Sequence, residues 1–380
     1  MKKDIFILLI SALVVMTSCS DFSNGSDSYF LKKSEYKVKF NLDKNTKTLV
    51  SSLQVCYDNK KQIEYLIFGS SNDEIVFYNL NTQKLEFKIK PEVEGNNGVG
   101  YFIGDYVHNS DSIFITKRGD EEISLINKEA RVINKYDYHE SKNKHPLREF
   151  YSSTSTPITI IGDDLYIVPS CNRWAKVNPV AAYINLKTNE VYDFPSFQYP
   201  KFPGANNKSK RFGIEGEMSR CFDGKRFIYS FHFDEDIYVC SPNHNNIKRY
   251  KIKSKYINKV KILNDYGNLT PEEACCNPNY GDMIYDKYRN VYYRIAYPAT
   301  SIEKDKKGIE LLMYGRKFFS IIIVDSNFNV IGETMFPDYT YNSNFMFVRK
   351  DGLYISDNNC YNPHYSDDVL SFVRFKLVKK

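Results

Sequence analysis

The sequence predicts an all-β chain folded as a six-bladed β-propeller, closed into a ring by a strand from its own N-terminal side. Three observations predict it. Tyr and Phe are abundant, 31 and 26 of 380 residues, while Trp occurs once, and these β-favouring residues recur in short runs separated by Asn, Asp, Gly and Lys turns. No segment carries a long apolar period of 3.6 residues. The short runs group in fours, and four antiparallel strands in sequence make one propeller blade.

The fourth unit is the clearest. Glu217 to Phe222 is a first strand, Asp223-Gly224-Lys225 a turn, and Arg226 to Phe233 a second strand. Asp236 to Cys240 is a third, Pro242 to Asn246 a turn, and Ile247 to Ile252 a fourth. The first unit repeats the order at Leu53 to Tyr57, Glu64 to Phe68, Glu74 to Leu80 and Lys84 to Ile89. The second does so at Tyr101 to Val107, Ser112 to Thr116, Glu121 to Ile126 and Arg131 to Tyr136. The third uses Pro157 to Ile161, Asp164 to Val168, Ala181 to Leu186 and Glu190 to Phe194. The fifth uses Asp282 to Tyr285, Asn290 to Ile295, Phe318 to Val324 and Val330 to Met335. The sixth shows only Asn344 to Val348, Gly352 to Ser356 and Val369 to Leu377, so Glu35 to Leu42 is expected to supply its missing strand and remove two sheet edges. Splitting the long fifth unit would give a seven-bladed alternative.

Residues 1–18 read as an export signal. Lys2 and Lys3 precede a 12-residue apolar run, Ile5 to Met16, too short to span ~30 Å of hydrocarbon comfortably. Met16-Thr17-Ser18-Cys19 has the form of a lipobox, which makes Cys19 the expected lipidation site; the rival reading is an ordinary signal peptide that contains a cysteine. Residues 19–30 form a polar tether, and residues 31–380 a single propeller domain. The net charge of +6 is spread among interspersed acids and bases, which gives no support for a nucleic-acid partner.

Seven further cysteines follow: Cys56, Cys171, Cys221, Cys240, Cys275, Cys276 and Cys360. Their spacing fits no zinc site, and an odd number in an oxidising compartment leaves at least one free or paired between chains. Cys275-Cys276 reads either as a redox pair or as two thiols in a loop. Cys221 and Cys240 fall two inter-strand spacings apart, about 9.6 Å, beyond the ~7 Å reach of a disulfide.

Catalytic signatures are missing. There is no G-x-S-x-G turn, and His108, His139, His145, His232, His244 and His364 show no ligand spacing. The stretch EGNNGVG at Glu94 to Gly100 lacks the Lys of a phosphate loop. A single Trp174 argues against sialidase-type and WD-type repeats. No metal and no cofactor is expected. The acidic turns Asp234-Glu235-Asp236, Asp357-Asn358-Asn359 and Asp367-Asp368 could hold Ca²⁺, but without EF-hand spacing they read more simply as solvated turns.

Candidate binding residues come from loop length. The connections 91–100, 139–156, 170–180, 196–216, 255–281 and 298–317 are long and belong to one propeller face, while the opposite turns are short. Arg118, Asn172, Arg173, His232, Asp234, Arg294 and Asp357 each end or follow a second strand, which assigns them to the central mouth. Arg173 stands beside Trp174 and could take an anionic or sugar ligand by forked donors and stacking, or could cap the channel structurally. Tyr rings either stack on ligands or wedge between blades. The favoured function is a non-enzymatic envelope scaffold that binds a protein, peptide or glycan partner. The alternatives are a propeller enzyme, a glycan hydrolase or lyase with carboxylates about 5–9.5 Å apart, and a structural subunit of an outer-membrane assembly. Paired carboxylates in a deep central pocket would favour the enzyme.

Several long stretches carry a resemblance. They are Lys90 to Ile126, with EGNNGVG and YVHNSDSIFI, then YGRKFFSIIIVDSNFNVIGETMFPDYTYN at Tyr314 to Asn342, and GLYISDNNCYNPHYSDDVLSFVRFKLV at Gly352 to Val378. Together they resemble a Bacteroidetes lipoprotein family, domain of unknown function 4221, across essentially the whole mature chain. That family usually has a Pro where this chain has Asn96, a departure confined to a loop. The resemblance implies a propeller-like fold and an envelope location and supplies no catalytic residue. The Ser-rich, acidic tether also resembles those of surface lipoproteins, so the expected location is the outer membrane, lipid-anchored, on the periplasmic or the cell-surface side.

Overall fold

The computed structural model describes residues 27–70, 73–172, 174–201, 216–260 and 269–380. The signal segment, Cys19 and Arg173 lie outside the described residues. Strand β1 (Tyr29–Asn41) is followed by four antiparallel four-stranded sheets. The first holds β2 to β5 (Val50–Asp58, Ile63–Ser70, Glu74–Asn79, Leu85–Ile89), and the second β6 to β9 (Phe102–Asn109, Ser112–Lys117, Glu122–Ile126, Val132–Asp137). The third holds β10 to β13 (Thr159–Ile161, Asp164–Ile167, Ala182–Asn185, Val191–Asp193), and the fourth β14 to β17 (Met218–Phe222, Phe227–Phe231, Asp236–Cys240, Lys248–Lys251).

The rest of the chain gives β18 to β21 (Asn279–Asp286, Val291–Tyr297, Phe319–Asp325, Val330–Phe336) and β22 to β24 (Asn342–Arg349, Gly352–Ser356, Val369–Lys379). These strands and β1 form one eight-stranded sheet, in the order β18-β19-β20-β21-β1-β24-β23-β22. The fold is therefore all-β and propeller-like, but with four separate blades and one larger sheet instead of six separate blades. The physical cause is the entry of the chain. β1 pairs antiparallel with β24 from Tyr29↔Lys379 to Asn41↔Val369, as the sequence led us to expect, and Tyr29 also meets Gly332 of β21 in parallel. A Cβ at Gly332 would lie 1.9 Å from the Tyr29 carbonyl oxygen, so only glycine admits this junction.

The burial pattern explains the continuous apolar runs of the second strands. Second strands are buried on both sides, as in β15 and β19, where every residue is buried. They read as continuous apolar runs because each blade packs against a neighbour on both faces. The fourth strand of the fourth sheet, β17 (KRYK), is by contrast polar and mostly exposed. Tyr78, Tyr138, Tyr229, Tyr280, Tyr292, Tyr293 and Tyr354 are among the largest fully buried side chains, which places them in the wedge role. Several hydroxyls reach a partner, such as Tyr292 to Asp223 at 2.7 Å and Tyr78 to the Asn41 carbonyl at 2.7 Å.

The short turns share one device. An Asp or Asn closing a strand accepts two following backbone N–H groups: Asp58 from Lys60 and Lys61, Asn79 from Asn81 and Thr82, Asn185 from Lys187 and Thr188, and Asp286 from Tyr288 and Arg289. Such side chains mimic a backbone turn and hold φ/ψ without a long loop.

Two short helices were not expected from the sequence. They are α1 (Pro271–Cys276) and α2 (Gly308–Tyr314), and both lie in long connections. Thr270 caps α1 with the reciprocal Glu273 bond, and Pro271 opens it, so T-P-E-E carried a readable start signal. A Cβ at Gly308 would sit 2.3 Å from the Glu272 nitrogen, so glycine lets the helices touch. Cys275 and Cys276 therefore belong to a helix, not a loop; they, Cys56, Cys221, Cys240 and Cys360 are free thiols. Cys275 Sγ donates to the Gly308 carbonyl at 3.2 Å, and burial pushes its thiol up to about 11. Among the described residues, no helix is long and apolar enough to cross a membrane.

Candidate functional site

The first strands β2, β6, β10, β14, β18 and β22 all contribute side chains to one central cavity of about 780 Å³. A second cavity of about 580 Å³ lies at the end where first strands begin and second strands finish. Residues from the long connections line this second cavity: Tyr151 and Ser153 to Thr156, Val168 and Ser170, Tyr199, and Leu312 with Arg316. It is the long-loop mouth.

Between the two cavities runs the segment YSSTST, Tyr151 to Thr156, with Ser153 and Thr154 touching both. Its hydroxyls and backbone tie the sheets together. Ser152 Oγ donates to the Asp105 carbonyl at 3.0 Å, and Ser152 N donates to Thr116 Oγ1 at 3.2 Å. Leu53 N donates to Thr154 Oγ1 at 2.9 Å, and Arg220 N to the Ser155 carbonyl at 2.8 Å. Ser155 Oγ donates to Asp282 Oδ2 at 2.9 Å. A plug of small hydroxyl residues suits a narrow channel because each satisfies its own buried polar atoms across a different sheet. Gly104 makes room for it, since a Cβ there would lie 2.1 Å from the Ser152 carbonyl oxygen.

Above the plug, His232 stands between two carboxylates. Its Nδ1 lies 3.8 Å from Glu217 Oε2 and its Nε2 3.8 Å from Asp282 Oδ1, both too long for hydrogen bonds. The backbone fixes the ring's origin: His232 N donates to the Glu217 carbonyl at 2.9 Å, and Tyr280 N donates to the His232 carbonyl at 2.8 Å. His232 Nε2 is buried without a partner among the described residues, as is the Oδ1 of Asn279, another lining residue. Opposite them, the Arg316 guanidinium stacks 4.3 Å from the Tyr297 ring and donates to the Ala274 carbonyl at 2.9 Å.

The two carboxylates titrate apart. Burial raises the Asp282 carboxyl above its ordinary value, and His232 and the Ser155 bond only partly offset this. Burial also pushes Glu217 upward, but His232 and the Arg316 charge outweigh it and hold the group low. The Glu217 side chain is 57 % exposed, which limits the desolvation that favours its neutral form. The mouth thus offers an ionised acceptor, a more readily protonated acid, and two unfilled hydrogen-bonding positions.

Of the nominated residues that are described, only His232 is found in this constellation. Arg294 is fully buried between sheets, donating to Ser230 Oγ and four backbone carbonyls, so it has no surface to offer. Asp234 shapes its turn, accepting from Asp236 N at 3.0 Å and Tyr238 Oη at 2.7 Å. Asp357 pairs with Lys37 at 2.5 Å and accepts from Ser371 in a separate cavity beside β1. Asn172 accepts from Trp174 N at 3.3 Å in a loop turn, and Trp174 is 58 % exposed. Arg118 is exposed, with its charge felt at Tyr151 of the mouth. Sequence reasoning missed Glu217, Asn279, Asp282, Ser155 and Arg316. The first three sit at or just before the starts of first strands, which face the same mouth as second-strand ends; considering one set without the other halved the search.

Asp105 lines the other cavity and is 4 % exposed. Ser52 Oγ donates to it at 2.5 Å, but burial dominates and raises its pKa to about 6. Because the folded value exceeds the unfolded one, this group favours the fold below pH ~4 and loses that contribution as pH rises through about 6. The shift corresponds to about 3 kcal/mol. Asp105→Asn is therefore expected to flatten the fall in stability between pH 4 and 7, measured by denaturant midpoints. An unchanged slope in the variant would show that Asp105 does not carry it.

The comparisons with known proteins agree with this architecture. The sequence matches the family described as "Domain of unknown function (DUF4221)" over residues 28–335. A DUF4221 member from Bacteroides vulgatus ATCC 8482 has a similar crystal structure, with TM-score 0.79 at 25 % identity, covering 93 % of this chain and 100 % of that one. A protein from Bacteroides fragilis NCTC 9343, described as exported, is similar in fold alone: TM-score 0.55 at 12 % identity, covering 93 % and 97 %. A search of curated proteins finds no match. A match over most of the sequence, joined to the same fold across the full length of a solved member, places this chain in the DUF4221 family.

Proposed function

We propose that the protein is a non-enzymatic, lipid-anchored binding propeller of the cell envelope, and that a hydroxyl- or amide-bearing part of a protein, peptide or glycan partner enters its long-loop mouth. One observation carries this reading. His232 Nε2 and Asn279 Oδ1 are buried at the mouth with no hydrogen-bond partner among the described residues. A buried unfilled polar atom costs about 1–3 kcal/mol, and a ligand that fills these positions recovers it. Arg118, Asn172 and Arg173 are further candidates for the rim. The eight-stranded sheet acts in this reading as two blades, β18 to β21 and β22 to β24 with β1, giving a six-bladed ring. Support comes from the six first strands that share one cavity. The envelope location, with a lipid on Cys19 in the outer membrane, draws support from the family resemblance and the exported Bacteroides fragilis relative.

A second reading has its own observation. Glu217 and Asp282 are shifted in opposite directions within one cavity, the pattern of a base and an acid. A glycan hydrolase or lyase could use them.

The test starts from partners co-purified with the protein from its native envelope. With the partner identified, His232→Ala is expected to weaken binding at least about five-fold, the loss of roughly 1 kcal/mol for one hydrogen bond, with melting unchanged. Asp282→Asn separates the readings, since a binder keeps most affinity while an enzyme keeps affinity and loses turnover. Full binding by both His232→Ala and Glu217→Gln would remove the mouth from the site.

A further inference from the structure

We infer that the surface where the chain enters the domain, formed by the N-terminal half of β1 and the C-terminal half of β24, lies against an anionic phospholipid bilayer. Entry is fixed in place. Asp27 pairs with Lys380 at 2.8 Å and Lys255 at 3.0 Å, and it accepts from Glu333 N at 3.3 Å. Ser28 N donates to the Ile331 carbonyl at 2.9 Å, and Lys380 N to the Ser28 carbonyl at 2.8 Å. Seven residues, and so eight Cα-to-Cα steps, separate Cys19 from Asp27. Fully extended they reach at most about 29 Å, less than the roughly 40–50 Å width of a domain this size. A lipid on Cys19 therefore keeps this side of the domain near the headgroups, and the inference rests on that anchoring.

The same side is basic. Residues 27–35 carry Lys32 and Lys33 against Asp27 and Glu35, and residues 374–380 carry Arg374, Lys376, Lys379 and Lys380, of which Arg374 pairs with Asp351 and Lys380 with Asp27. Lys32 stands directly opposite Lys376 in the ladder, and both are exposed. Directly opposed like charges destabilise a sheet. Among the described residues neither lysine has a carboxylate within 4.0 Å, so nothing in the fold offsets the repulsion. Lys33 and Lys379 are exposed on the other face of the same two strands. Headgroup phosphates supply the missing counter-charge, and each lysine held near an anionic surface contributes about a five-fold gain in partitioning.

Vesicle sedimentation of the unlipidated protein, residues 20–380, reads this surface without the anchor. The probes are phosphatidylcholine vesicles with and without phosphatidylglycerol. Binding is expected only to the anionic vesicles, and it should fall as salt rises. Lys32→Ala with Lys376→Ala should weaken it by about 20- to 30-fold with melting unchanged. The distant exposed pair Lys144→Ala with Lys187→Ala should leave it intact. No binding to anionic vesicles, or equal losses from both pairs, would overturn the inference. Membrane fractionation of full-length Cys19→Ala reads the anchor separately, and His232→Ala should not alter vesicle binding, so this inference and the ligand reading fail independently.

Discussion

Deletion of residues 29–43 is expected to yield an aggregating chain in place of a weakened but soluble monomer. β1 is an interior strand of the eight-stranded sheet, paired with β24 along its length and touching β21 at Tyr29. Its loss bares the long edge of β24, and unpaired flat edges template association. It also removes Leu31, Val38 and Phe40, which are 4 %, 0 % and 0 % exposed. Phe40 packs edge-on to Tyr78 at 5.3 Å and to Phe372 at 6.1 Å, joining the first sheet to the last strands. Losing a buried Phe alone costs about 3–5 kcal/mol, and total stability is about 5–15 kcal/mol, so the whole strand exceeds what the fold can lose. Size-exclusion chromatography and thermal melting check this. A soluble truncated monomer with unchanged melting would show that β1 is not needed to hold the eight-stranded sheet together. Phe40→Ala offers the graded version: it should fold, with a lower melting temperature.

Strand order was legible because the chemistry of each strand is local. The turns Asp223-Gly224-Lys225 and Asp351-Gly352 announce hairpins in the sequence, and the apolar runs of second strands sit between them. The pairing of β1 with β24 was legible by subtraction, since the sixth unit lacked a strand and the N-terminal side had one spare. The fusion of two units into one sheet was not. It depends on Tyr29 approaching the backbone of Gly332, a contact 303 residues apart, and no local pattern encodes it. The short helix α1 was encoded in its cap but is too brief for a periodic signal.

The site was less legible than the fold for a related reason. Glu217, His232 and Asp282 come from two neighbouring sheets and meet only once those sheets are packed together. Nothing in the sequence separates Asp282 from the many aspartates that cap turns, such as Asp223 and Asp286. The same ambiguity misled the reading of arginine. A lone Arg at the end of a second strand fits a ligand fork, but Arg294 spends its donors on backbone carbonyls of the adjacent sheet. Arg220 turns only its Nη2 this way, toward the Pro157 and Tyr166 carbonyls at 2.5 and 3.1 Å. The planar guanidinium suits this use because its donors fan toward several strand ends at once.

Arg294→Ala is accordingly expected to be one of the most damaging single substitutions in the chain. The guanidinium donates to Ser230 Oγ at 2.9 Å and to the carbonyls of Phe231, Asp234, Glu235 and Ile252 at 3.3, 2.5, 3.0 and 2.8 Å. It stacks 3.9 Å from the Tyr280 ring. Burial lowers its pKa to about 10, so it stays charged at neutral pH despite complete enclosure. Alanine leaves several carbonyls at the junction of the fourth and fifth units unfilled, each costing about 1–3 kcal/mol, and opens a cavity beside Tyr280. The expected loss is more than about 4 kcal/mol, read as a shift in the denaturant midpoint at constant slope. Arg294→Met separates the two contributions, since it keeps most of the volume and none of the donors. A Met variant nearly as damaged as the Ala variant assigns the role to hydrogen bonding, and a Met variant near wild type assigns it to packing. An Ala variant within about 1 kcal/mol of wild type would mean that water or a shifted backbone replaces all five bonds, and Arg294 would then not be what holds the two sheets together.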